Sequence, residues 1–466
     1  MGLEHIVTKY NVAASPQYGV NDQTDVFFVG ENGQLYVKWV VGGGFWDGPV
    51  GLGPVGIFPA GASVAASPQY GVNNQTDVFA VGNNGQLHVF WVSGGGNWAG
   101  PVGLGPTGAF PPGARVTASP QYGVNNQTDV FVVGNNGQLH VFWVSGGGNW
   151  AGPVGLGPTG VFPAGAAVAA SPQYGVANQT DVFAIGNNGQ LHVFWVSGGG
   201  NWNGPVGLGA AGIAPAGAPV EASPQYGIPN QTDVFTVGIN GQIHVAWVVG
   251  GGNWNGPLGL GAGGVFPAGA SLAASPQYGV ANQTDVFAIG NNGQLHVLWV
   301  VGAGNWNGPV GLGGADIFPA GTGIAASAQY GIANQTDVFA IGHNGLLHVA
   351  WVLGGGNWAG PIGLMAPPAI AVQFSDNFHS VVVDGQRFTP NGDVTLDYQI
   401  EAEGAPSTTT SGSTGVRADA SGAFSTRIDV TIVGPTRVDV RATDAASGRT
   451  ASGADQSSTS ESASVR

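Results

Sequence analysis

Short apolar runs alternate with clusters of Gly, Pro, Asn and Gln along most of this chain. Residues 63–104 show one full cycle. The runs at 63–67, 76–82, 86–93 and 97–104 are rich in Val, Ala, Phe and Trp and predict four strands. Asn83-Asn84-Gly85 lies between the second and third runs, and Asn-Gly between two β-formers signals a tight hairpin. Gly94-Gly95-Gly96 turns the chain into the fourth run. Pro101 in that run has no N–H to give to a ladder, so the fourth strand is expected at a sheet edge. In the third run Leu87, Val89 and Trp91 point one way and His88, Phe90 and Val92 the other. A strand with apolar side chains on both faces belongs in a sheet covered on both faces.

The cycle recurs with a fixed period. Trp39, Trp91, Trp143, Trp195, Trp247, Trp299 and Trp351 stand 52 positions apart. Repetition at this length signals a solenoid or a propeller. A β-helix would need shorter rungs, and helical repeats would need a 3.6-residue period and fewer glycines. The expected fold is all-β: a seven-bladed β-propeller of seven 52-residue repeats, four strands per blade, followed by a small β-sandwich. Residues 1–365 form the propeller in this reading, with the segment at 5–11 supplying closure material beside the last blade. Residues 366–449, with their alternating strands, form an Ig-like sandwich, and residues 450–466, small and polar, form a disordered tail.

Composition narrows the function. The net charge is −15, and before residue 366 the basic residues are Lys9, Lys38 and Arg115 alone. Nucleic acid is therefore not an expected partner, since phosphate contacts need Lys and Arg, and no apolar run has the ~20 residues of a membrane helix. The absence of Cys excludes thiolate metal sites, disulfides and Cys nucleophiles. Met1-Gly-Leu-Glu-His carries no visible signal peptide; an extracellular or cell-surface location is favoured over others only through the function argued below.

Two regular aromatic series and several polar ones could form sites. Trp98, Trp150, Trp202, Trp254, Trp306 and Trp358 follow the Gly turn, each preceded by Asn: Asn97, Asn149, Asn201, Asn253, Asn305 and Asn357. An indole at an edge can stack on the apolar face of a sugar, or simply pack. His88, His140, His192, His244, His296 and His348 offer ring nitrogens to hydroxyls, or hydrogen-bonded packing. Tyr70, Tyr122, Tyr174, Tyr226 and Tyr278 lie in a loop where they could close a groove. The Trp91 series, mid-strand among Val and Leu, reads as core. Asp77 and its equivalents begin the second strand and read as carboxylates tying the adjacent turn. One carboxylate per repeat does not make a glycosidase pair. No metal site or cofactor is expected.

The ordered set Asp77-Val78-Phe79, Gly82-Asn83-Asn84-Gly85, Leu87-His88, Trp91, Gly94-Gly95, Trp98 and Leu104-Gly105 resembles the blade of the bacterial seven-bladed propeller lectins of the Photorhabdus lectin family, whose pattern is related to tectonins. The likeness spans residues 5–365. It implies sugar sites between adjacent blades, for fucose or O-methylated sugars, with glycans or glycoconjugates as partners, no turnover, and oligomerisation left open. Pro101-Val102 departs from that family, and the Arg/Glu sugar pair of six-bladed fungal fucose lectins is absent. A propeller that only docks proteins is the alternative.

Overall fold

A computed structural model describes residues 11–364, 369–375, 380–388, 392–402, 408–419, 422–429, 436–445 and 450–456. The chain divides into two compact units, the second beginning in the main at Met365. The described residues hold strands and turns and no helix.

The first unit contains seven four-stranded antiparallel sheets, each built from strands consecutive in sequence. In the second sheet the strands are Val64–Pro68, Gln75–Val81, Leu87–Ser93 and Ala99–Leu104. The third and fourth strands lose register between Val89 and Trp91, whose partners are Val102 and Ala99. That extra residue on the fourth strand is a bulge, and it is where Gly100 and Pro101 sit. The fourth strand pairs on one side only, as its Pro predicts. Asn97 and Trp98, expected inside this strand, precede it, because the ladder starts at the Trp91–Ala99 pair.

Consecutive sheets cover one another's faces. Phe79, Val81, Leu87 and Val89 of the second sheet pack in one cluster with Val116, Val130, Val132 and Phe142 of the third. Phe110, from the segment joining the two sheets, is fully buried in the same cluster. Each such aromatic contributes roughly 1.5–3 kcal/mol by leaving water.

Polar bonds fix the spacing as well. The Tyr70 N–H donates to Thr128 Oγ1 at 2.8 Å, and Gln69 Nε2 donates to the Gly146 carbonyl at 2.7 Å. The same pair of bonds joins each sheet to the next, and Tyr330 and Gln329 of the seventh sheet make them to Thr24 and Gly42 of the first. Gly71 shows how close the sheets come. Its φ is +83°, and a Cβ there would meet Asn126 Cβ at 2.4 Å and Gly146 Cα at 2.9 Å. The expected role of residues 5–11 in closure falls, apart from Asn11, outside the described residues.

The second unit has two sheets around one apolar cluster. Ala369–Phe374, Ser380–Gln386 and Phe424–Asp429 form one sheet. Asp393–Ala402, Thr408–Arg417, Thr436–Asp444 and Thr450–Gln456 form the other. Val381, Val383 and Phe424 from the first meet Leu396, Val438 and Val440 from the second. The boundary set for a tail at residue 450 is corrected here, since 450–456 pair along the strand Thr436–Asp444. This strand alternates exposed and half-buried positions, and Asp455 in it accepts from the Phe374 N–H of the other sheet at 2.8 Å. Residues 457–466 lie outside the described part.

Asp77 is wholly buried: Oδ1 accepts from Gln75 Nε2 at 2.8 Å, and Oδ2 has no partner. Burial pushes this carboxyl up to about 7, only partly offset by the Gln75 bond. Its six equivalents behave alike, so the folded chain holds these protons over a range in which the unfolded chain, with carboxyls near ~3.9, has released them. Their contribution is fully present below that unfolded value and is lost as pH rises through about 7. The His88 series, held neutral by burial, acts oppositely below the ordinary His range. Comparing Asp77→Asn with the parent isolates the carboxyl. Between pH 5 and pH 8 the difference in Tm should move in the variant's favour; a flat difference would contradict the assignment.

Candidate functional site

Six interfaces between sheets are described, and each carries one Trp from either side. Trp39 and Trp98 border the first, Trp91 and Trp150 the second, Trp143 and Trp202 the third. Trp195 with Trp254, Trp247 with Trp306, and Trp299 with Trp358 complete the set. All twelve rings are half-buried. The mid-strand series, expected in the core, does pack against these core clusters but stays half-exposed.

A shared phenylalanine places the two rings of each pair. On the second sheet Trp91 lies opposite Asp77, and Phe79 is the next residue along on the same face. Such diagonal neighbours are within reach of aromatic side chains. Trp150, arriving from the third sheet, sets its ring edge-on to Phe79, with centroids 5.5 Å apart and planes at 77°. The contact recurs at 5.4–5.6 Å in the other five interfaces. Each interface thus has a buried Phe in its core and two half-exposed indoles packed against that core. The Asn before each Trp of the second series, Asn149 among them, is exposed at the rim.

The His series is not brought to these Trp pairs. His88 pairs with Gly103, near the far end of the fourth strand, whereas Trp98 precedes that strand. Three residues of strand, ~10 Å, already separate His88 from Trp91. The His88 ring sits edge-on to Phe58 at 5.8 Å, and its Nε2 lies 3.3 Å from Asn84 Oδ1. His140, His192, His296 and His348 pack on equivalent Phe residues, and His244 keeps the Asn contact through Asn240. Burial lowers the pKa of all six. They are neutral packing residues at the opposite end of the blade.

The Tyr series forms a third group, in the loops after the innermost strands. Neighbouring rings are close enough to raise one another's pKa, although burial is the larger cause, and Tyr70 is pushed up to about 12 with Tyr18 and Tyr122 on its flanks. A depression of ≈ 370 Å³ lies beside Tyr278, Gln329, Tyr330 and Asn334. Another of ≈ 400 Å³ lies beside Tyr174, Gln225, Tyr226 and Asn282. A shallow depression of ≈ 810 Å³ lies on the four-stranded sheet of the second unit, beside Asp397, Tyr398, Asp439 and Arg441.

The combination is neutral and repeated: aromatic walls, exposed amides, and one sealed carboxyl per repeat. It can grip the C–H face of a polar ring, and it offers no acid/base pair. No family model and no curated protein matches this sequence. Among solved structures, the BP39L lectin from Burkholderia pseudomallei is 54% identical, with a TM-score of 0.76, over 76% of this chain and 99% of that one. AofleA from Arthrobotrys oligospora (14% identity, TM-score 0.46, 65% and 87% of the two chains) is also similar. So is a six-bladed β-propeller lectin from Aleuria aurantia (16% identity, TM-score 0.45, 77% and 96%). The match to BP39L spans practically that whole protein at more than half identity, and this chain belongs to its family, as a carbohydrate-binding, non-catalytic lectin built from tandem β-propeller repeats.

Proposed function

We propose that this lectin binds glycans multivalently in the grooves between adjacent blades, each sugar held between one Trp of either blade. The observation that carries this reading is the pairing of the two Trp series at every described interface over a shared Phe. The sugar ring presents its C–H face to an indole, and its hydroxyls reach the rim amides. The edge of the Trp ring rests on Phe, so the wall is rigid before the ligand arrives, which lowers the ordering cost of binding. The sugar class is fucose or an O-methylated sugar, as the resemblance to the Photorhabdus lectins implies. The His series is left out of the site. The Tyr-lined depressions are a second reading, favoured by their volume and by the Tyr rings with Gln and Asn amides beside them.

The blades close into a ring of seven, supported by the bonds from Tyr330 and Gln329 back to Thr24 and Gly42. The second unit is an Ig-like sandwich appended to that ring. Sites joined on one body see a high effective concentration of a branched glycan, so weak single contacts add to a tight whole. The first copy, with Tyr36, Phe45 and Asp47 in place of His, Asn and Ala or Asn, makes the sites unequal, and fewer than seven equivalent ones are expected.

A glycan array on the full chain tests the function, with fucosylated and O-methylated glycans expected among the hits and an empty array overturning it. Small-angle scattering tests the ring: a compact, disc-like envelope for the repeats is expected, and a rod would contradict it.

The shared groove has its own test. Stacking of a base on an aromatic ring is worth ~1–3 kcal/mol, and a sugar on Trp is comparable in kind. Trp91→Ala and Trp150→Ala should each weaken one site by about tenfold or more, ~1.4 kcal/mol. By calorimetry the double variant should lose one site, not two, while Trp91→Ala with Trp98→Ala should lose two. Binding that is indifferent to all three and abolished by Tyr226→Ala would move the site to the depressions.

A further inference from the structure

Among the innermost strands lies a cavity of ≈ 220 Å³ that takes part of its lining from every one of the seven sheets. Most of that lining is small and neutral, as the repeats require: Ser63, Ala167, Ser271 and Gly323 occupy one level. Two positions break the pattern. Arg115 stands in the third repeat at the level of those four residues, and Glu221 stands in the fifth where other repeats have Ala65, Ala169 or Ala273. Arg115 reaches across the cavity from the third sheet to the sixth, where its Nη2 donates to Ser271 Oγ at 2.9 Å.

That bond uses one of the five N–H donors of a guanidinium. Among the described residues no carboxylate pairs with Arg115. Arg115 is half-buried, and an anion brought to its free donors supplies both a counter-charge and the missing hydrogen bonds. We infer that this cavity is a binding site for one small oxyanion or carboxylate, held by the Arg115 guanidinium and distinct from the grooves between blades.

The volume suits such a ligand. At about 30 Å³ per water the cavity has room for a formate- or phosphate-sized ion with several waters. Glu221 does not oppose it at neutral pH. Burial pushes that carboxyl up to about 8, so it carries a proton and can donate to an oxyanion, while burial lowers the Arg115 guanidinium only to about 10, which leaves it charged. The positive charge is thus uncancelled in its own cavity, inside a chain whose net charge is −15.

Thermal melting of the full chain, wild type beside Arg115→Ser, tests the site with formate and with inorganic phosphate as probes. Serine is the residue that Ser63 and Ser271 already place at this level. General salt effects appear in both proteins and cancel in their difference. A saturable upward shift in Tm is expected in the wild type and not in the variant, with glycan binding unchanged between the two. Response to formate alone assigns a carboxylate ligand, and response to phosphate assigns an inorganic oxyanion. Equal shifts in both proteins, or none in either, overturn the inference. If Arg115→Ser does not fold, crystals of the wild type soaked in selenate decide: an anomalous peak beside Arg115 is expected, and none there overturns the site.

Discussion

Every sheet of the repeat region is apolar on both faces, and no sheet can cover itself. Phe79 looks toward the third sheet and Phe90 toward the first, and both are buried only because a neighbour stands on each side. Stability is therefore a property of interfaces more than of blades, as in other stacked repeats. The linker Phe residues, the Thr128 and Gly146 bonds, and the bare backbone at Gly71 all serve the same spacing. A change in any of them is felt by two sheets at once.

Because the polypeptide repeats, the same constraint places chemistry at regular intervals. At each described interface the two indoles are left half covered. The Asp carboxyls lie deeper in the same faces, sealed from water and bonded to a Gln on one oxygen only. The repeat thus combines an apolar wall, a buried proton store and a polar rim within a few residues, without setting two carboxylates side by side.

Much of the architecture was legible in the order of residues. The Asn83-Asn84-Gly85 hairpin, the edge strand marked by Pro101 and the four strands per repeat all stand where the pattern put them, within a residue or two. Alternation along Leu87–Ser93 disclosed two covered faces, but it could not say which neighbour covers which. That is why Trp91 read as core and its packing against the same cluster as Trp150 was missed. The separation of His88 from Trp98 was within reach: counting back from the Gly turn places the start of the third strand opposite the end of the fourth. Composition misled at Thr450–Gln456, where a polar edge strand and a disordered tail look alike.

Drawing the two walls of a groove from different sheets also ties recognition to mechanics. On the proposed reading a bound sugar touches both sides of a joint, so ligand and packing resist the same motion. A blade that swings outward would remove half of each groove beside it, and both pockets would empty together. Conversely, a branched glycan seated in adjacent grooves would act as a splint across the blade between them, so the glycan-coated protein should resist proteolysis best at the very interfaces it occupies.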